Sequence, residues 1–166
     1  LDKVSDMIIG DNFKLEMGLI AFALIIMGII LAIVDKRSEN KYNYEHITLK
    51  QSVLVGISQA IAAAFPGVSR SGITMTIARA LKIDRESAAK FSFLLSTPIV
   101  AAAVLVDISE FALTSVAFWV GVIASFIVGI IVVKFLMDYL KKGSFKVFAI
   151  YRILLGILIF GVIFFR

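Results

Sequence analysis

Residues Met17 to Val34 form an uninterrupted apolar run of 18 residues that stops at Asp35-Lys36-Arg37. A charge-free stretch of that length approaches the ~20 residues an α-helix needs to cross a bilayer core. Its basic end predicts which terminus faces the cytoplasm, since Lys and Arg collect on that side of membrane spans. Three further runs are long and apolar, over Phe91 to Val106, Ser115 to Val133 and Phe148 to Phe165, the last with Arg152 near its start. Hydrophobic residues make up 60% of the chain and charged ones 17%, against roughly 45 to 50% apolar in soluble domains. A soluble core of this size cannot hide that excess, so the expected class is an all-α integral membrane protein forming one domain over residues 1–166. With no cysteine in the chain, disulfides and thiolate chemistry are excluded. The single histidine, His46, lies in the polar stretch Ser38 to Thr48, which reads as a solvated loop.

The net charge of +5 does not point to nucleic acid, because the cations sit in short segments between apolar runs, a topology signal rather than a binding face. Lys36, Arg37, Lys41 and Lys50 precede two apolar pieces, Val53 to Phe65 and Ile73 to Ala78, and Arg79, Lys82, Arg85 and Lys90 follow them. Both clusters belong on the cytoplasmic side, so an even number of crossings must separate them. The two pieces are therefore expected to form a re-entrant hairpin, broken at Pro66-Gly67-Val68-Ser69-Arg70-Ser71-Gly72, its irregular backbone covered by protein or lining a wet cavity. The other runs then alternate: outward over 91–106, a loop over 107–114, back over 115–133 to Lys134, Lys141, Lys142 and Lys146, and out again over 148–165. Only Arg166 opposes the rule. Four spans plus one hairpin result, with Pro98 expected to kink its helix. Leu1 to Lys14 lacks the pattern of a cleavable signal peptide, and the start at Leu fits a missing N-terminal portion.

The hairpin's broken centre carries the chemistry. An arginine fork pairs with phosphoryl oxygens, and Gly67 and Gly72 let backbone approach a ligand closely. A helix starting near Ser71 would aim free N–H groups and its dipole at an anion. Thr74 would share a face with Ser71 by its i, i+3 spacing. A plainer reading is a helix-breaking turn whose Arg70 snorkels to the interface, but ionisable residues within membrane segments are functional by default. Gln59 on the first arm is a candidate to point into the same site, or to hold helices together. Asp84 with Arg85, Glu86 and Ser87 reads as a helix cap and charged first turn. Phe91, Phe93, Trp119, Tyr139 and Tyr151 read as core, lipid-facing or interface-belt residues, and Asp107 and Glu110 as a solvated outer loop.

Four strings, Gly56-Ile57-Ser58-Gln59-Ala60, Phe65 through Thr74, Phe91-Ser92-Phe93-Leu94-Leu95 and Phe148-Ala149-Ile150-Tyr151-Arg152, in this order and spacing, resemble the bacterial undecaprenyl-diphosphatase family, also called bacitracin-resistance phosphatases. The resemblance runs from near Leu1 to the C-terminus. It implies a multi-pass protein of the bacterial cytoplasmic membrane that hydrolyses undecaprenyl diphosphate to undecaprenyl phosphate and phosphate, recycling a cell-wall carrier lipid and conferring bacitracin resistance. It implies inverted repeats, each with a re-entrant hairpin. Carried over residue by residue, Arg70, Ser69 and Thr74 become catalytic candidates, with Arg70 clamping the diphosphate, and Ser71, Gly67, Gly72 and Gln59 substrate-binding ones. The family's glutamate-rich motif, with its serine pair and histidine, has no counterpart here. Gln59 and Ala63 stand at the corresponding places, so the chain looks like the C-terminal half. A divalent cation, Mg²⁺ or Ca²⁺, would then take its ligands from the other repeat, and the expected partners are the lipid diphosphate, membrane lipids, and a second copy or the N-terminal half, but not nucleic acid. Acid-phosphatase-like lipid phosphatases are excluded by Thr76 and Ala80, which stand where that class needs histidine and aspartate. A lipid-phosphate flippase and a catalytically incomplete half-protein are the alternatives.

Overall fold

The computed structural model of the protein describes residues 13–107 and 115–165. Six α-helices hold most of them: α1 (Phe13–Arg37), α2 (Leu49–Ala64), α3 (Arg70–Ala80), α4 (Arg85–Asp107), α5 (Val116–Lys142) and α6 (Lys146–Phe165), with one 3-10 turn over Tyr44–His46. Among the described residues there is no strand, only an isolated parallel bridge between Tyr42 and Ile83. Four helices, α1, α4, α5 and α6, are long and apolar enough to cross a membrane. At 1.5 Å per residue, α2 with 16 residues and α3 with 11 reach only about 24 and 16 Å and fall short of a ~30 Å core.

Those two short helices form the hairpin that the charge pattern demands, and its base is closed by backbone. Lys41 N and Tyr42 N donate to Lys82 O at 2.9 and 3.0 Å, and Asp84 N donates to Tyr42 O at 2.8 Å. Thr48 opens α2 with a capping box completed by Gln51, whose Nε2 also donates to Leu81 O at 3.2 Å. The hairpin thus enters and leaves on one side, with Val55, Ala78, Ile83 and Ala88 buried between its arms and the start of α4.

The ends of the spans meet at one carboxylate. Asp35, in the last turn of α1, accepts from Arg79 Nε at 3.0 Å, from Arg85 Nε at 2.8 Å and from Phe145 N at 3.0 Å. Arg79 is fully buried and also donates to Ser38 O, Asn40 Oδ1 and Ile83 O. A buried ion group of this kind is tolerated only when its hydrogen bonds are saturated, and here it gathers the end of α1, the end of α3 and the starts of α4 and α6 on one side. That is the arrangement the basic clusters predict.

Along the bundle, α1 and α6 make the most extensive helix contact, and glycine permits it. A Cβ on Gly156 would lie 2.6 Å from Ile25 Cγ1 and 2.7 Å from Ala21 O, and one on Gly28 would lie 2.9 Å from Ile153 Cγ1. Small residues let membrane helices approach in this way, where water no longer drives apolar contact. At the basic end, Leu31, Met75, Ala89, Leu140 and Phe145 form a second core.

Helices run past the apolar stretches that announce them. Arg85 rather than Phe91 opens α4, capped by Asp84, whose carboxylate accepts from Ser87 N at 2.9 Å, and α5 continues from Val133 to Lys142 because Leu140 packs in that core. Pro98 lies inside an unbroken α4, where Thr97 Oγ1 and Ser96 Oγ both donate to Phe93 O. The N-terminal stretch before Phe13, Glu110 in the outer loop and Arg166 lie outside the described residues.

Candidate anion-binding site

The turn between α2 and α3 is shaped by two constraints. Gly67 has φ +84°, a left-handed conformation that favours glycine, and a Cβ there would lie 2.7 Å from Ile20 Cα. Gly67 therefore seats the turn against α1, where the sequence alone suggests close approach to a ligand. Ser69 then caps α3, its Oγ accepting from Gly72 N at 3.2 Å and lying 3.2 Å from Ser71 Oγ. The helix starts at Arg70, one residue before the position expected from sequence.

Two cavities meet at this serine pair. The first, about 350 Å³, is lined by Gln59, Ser69, Arg70, Ser71, Thr74 and Ser92, with Phe93 and Val100 adding an apolar wall. Arg70 is exposed to it, and its guanidinium has no hydrogen-bond or ion-pair partner among the described residues. The second, about 190 Å³, shares Ser69 and Ser71 and brings in Gly72 and Arg152. Gln59, Ser71 and Thr74 thus stand around one space with Ser69 and Arg70, and Gly72 stands on its far side.

Thr74 is not a free hydroxyl. It is 2% exposed, and its Oγ1 lies 2.6 Å from Ser92 Oγ and 3.1 Å from both Arg70 O and Ser71 O. A hydroxyl carries one proton, so donation back to the helix leaves Thr74 accepting from Ser92. This ties the first turn of α3 to α4 and holds the face on which Ser71 and Arg70 stand.

The sequence gives Arg152 only a supporting part, as a charge near the start of a span and the end of a family string. In the structure it lies in α6, 8% exposed, and its Nε and Nη2 are buried with no hydrogen-bond partner among the described residues. Its Nη1 occupies the space a Cβ on Gly72 would need, 2.0 Å away. Gly72 is thus the gap through which a second guanidinium reaches the start of α3. A buried charge without partner costs several kcal/mol, a cost that an anion beside it would relieve. The available signal was the arginine itself, placed more than a turn inside an apolar run.

Among the described residues no group of three His, Cys, Asp or Glu side chains could hold a metal ion. The site's donors are hydroxyls, an amide and two guanidinium groups, and Asp35 is committed to its arginines. Such a set attracts phosphate and repels a divalent cation, so Mg²⁺ or Ca²⁺ does not fit these residues.

Spanning helices, a re-entrant hairpin and a cationic, hydroxyl-lined pocket at its turn define a polytopic membrane protein suited chemically to an anionic ligand. Residues 4–158 match the family described as bacitracin resistance protein BacA, and the chain belongs to it. Proteins named undecaprenyl-diphosphatase are similar: that of Moorella thermoacetica is 45% identical over 150 residues, 89% of this chain and 57% of the relative. Those of Gemmatimonas aurantiaca, at 44% identity over 86% of this chain and 54% of the relative, and Caldicellulosiruptor bescii, at 40% over 92% and 58%, agree. The chain spans about half the length of these curated relatives.

Proposed function

We propose that the chain is the arginine-bearing half of an undecaprenyl-diphosphate phosphatase of the bacterial cytoplasmic membrane, with Arg70 and Arg152 flanking the diphosphate at the start of α3. The observation that carries this reading is the buried, unpartnered guanidinium of Arg152 beside the Ser69-Arg70-Ser71 turn, which a phosphoryl group would complete. Ser69, Ser71 and the α3 amides donate to the same oxygens, and Gln59 borders them. The apolar wall of Phe93 and Val100 suits the first isoprene units of a lipid substrate. Charge stabilisation of this kind lowers the barrier to phosphoryl transfer when the donors are already in place. Among the described residues no carboxylate or histidine lines either cavity, so the general base, and any metal ligands, come from outside these residues; the other repeat of the family is the natural source. The relatives' names favour hydrolysis over lipid transport.

The test is phosphate release from a short isoprenyl diphosphate in detergent with Mg²⁺, by the chain alone and co-expressed with the remaining part of the Moorella thermoacetica relative. Activity is expected only in the pair, and Arg70→Ala and Arg152→Ala each abolish it. Robust activity of the chain alone would sink the division of labour, and activity that survives both substitutions would sink the arginine assignment.

A further inference from the structure

A separate cavity of about 450 Å³ lies at the basic end of the bundle, between the last turn of α1, the first residue of α4 and the link into α6. We infer that it is a second anion site, one that holds the headgroup phosphate of an anionic phospholipid from the cytoplasmic leaflet.

Charge comes first. Lys36, Arg85 and Lys146 line the cavity together with Asp35, Ser144 and Ala32. The carboxylate pairs with Arg85 but with neither lysine, because one of its oxygens is taken by Arg79 and Arg85 and the other by Phe145 N. Three cations thus line the cavity beside one committed acid. The ammonium groups of Lys36 and Lys146 have no ion-pair or hydrogen-bond partner among the described residues, although other surface lysines do: Lys82 pairs with Glu39 at 3.0 Å and Lys141 with Asp138 at 3.0 Å. Three separate elements are therefore held together around an uncompensated positive hollow, while acids elsewhere on the same surface pair with other cations.

The shape selects a lipid over a free ion. Ile29, Ala32, Ile33 and Lys36 fall on one face of α1 by their three- and four-residue spacing, and Ile29 and Ile33 are 40% and 46% exposed. On α6, Ile150 and Ile157 are exposed along the helix beyond Lys146. Apolar stripes therefore run from the cavity toward the bilayer interior on both helices, so a bound phosphate has acyl tracks below it and lysines around it. Basic pockets between spans on the cytoplasmic side hold anionic headgroups in this manner. The cavity is distinct from the hairpin-turn site, with which it shares no lining residue, and the inference does not depend on the activity assigned there.

The experiment uses the chain in phosphatidylcholine nanodiscs with and without phosphatidylglycerol, read by thermal unfolding and by native mass spectrometry of retained lipid. Wild type should gain stability and retain phosphatidylglycerol when it is present. Lys36→Gln/Lys146→Gln should lower that retention on the order of tenfold and lose the stability gain while unfolding like wild type in pure phosphatidylcholine. Lys36→Arg/Lys146→Arg should restore both. Lys50→Gln/Lys134→Gln, an equal charge change outside the cavity, should behave as wild type. Equal loss in the two Gln pairs would reduce the effect to bulk surface charge and overturn the site. The same stabilisation by inorganic phosphate in pure phosphatidylcholine would overturn the lipid assignment.

Discussion

Gly72→Ala separates the stability of the hairpin from the chemistry of its turn. The added Cβ would lie 2.0 Å from Arg152 Nη1, 3.1 Å from its Cζ and 3.2 Å from Ser69 Cβ. The two nearest atoms belong to the tip of a long side chain, so the guanidinium yields first and must withdraw by more than an ångström. Folding loses little by this, because alanine inside a helix is favoured over glycine by about 1 kcal/mol. The melting temperature in detergent should hold or rise slightly. Ligand binding loses more, since a hydrogen bond to a charged group contributes about 1.5 to 3 kcal/mol, and a guanidinium displaced this far no longer reaches its oxygen. The affinity for a short isoprenyl diphosphate, measured by titration calorimetry on the chain in detergent, should fall about ten- to hundredfold. Arg152→Ala should reach a similar affinity, and adding Gly72→Ala to it should cost little more. Unchanged affinity in Gly72→Ala would refute the placement of Arg152 on the ligand. A large fall in melting temperature would refute the argument that the side chain, and not the backbone, gives way.

Three further outcomes follow from the packing. Asp35→Ala leaves Arg79, Arg85 and Phe145 N without their acceptor and should destabilise the protein by about 3 to 5 kcal/mol, seen as an early thermal transition. Gly156→Val drives a branched side chain into Ile25 and Ala21 O and should cost about 1 to 3 kcal/mol, whereas the same change at Gly161, where a Cβ meets nothing within 4 Å, should be nearly silent in the same melts. Gly67→Ala combines a left-handed φ, worth about 1 to 2 kcal/mol, with a backbone clash at Ile20. It should lower both stability and diphosphate affinity, unlike Gly72→Ala.

Much of this architecture is legible in the sequence because lipid imposes simple rules. Run length identifies four spans, and the sign of the charges on either side of the stretch from Val53 to Ala78 distinguishes a hairpin from a crossing. The Pro66 to Gly72 string marks the turn because no apolar helix needs that combination. Arg79 and Arg85 show the limit of such reasoning. Both read as charges that point a segment toward the cytoplasm, yet Arg79 is fully buried on Asp35, 44 positions away, a pairing no local pattern encodes. Asp35 itself is masked by its neighbours Lys36 and Arg37, so it reads as part of a basic end when it is the acceptor that assembles that end. Gly72 reads as a residue making room for a ligand, but the group using the room is Arg152, and only the packing of α6 against α1 brings it there.

The closed base of the hairpin makes it a lever. Among the described residues its backbone anchorage is the pairing of residues 41–42 with 82–84, and the turn lies the length of α2 away, about 24 Å at 1.5 Å per residue. Tilting such an arm by about five degrees carries its tip roughly 2 Å, while misplacing a reacting group by ~1 Å costs about a hundredfold in rate. The Asp35 cluster at the base therefore fixes the aim of Ser69, Arg70 and Ser71 together with the Gly67 contact on α1 and the Thr74–Ser92 bond near the tip, and a substitution near Asp35 can disturb the turn without touching it.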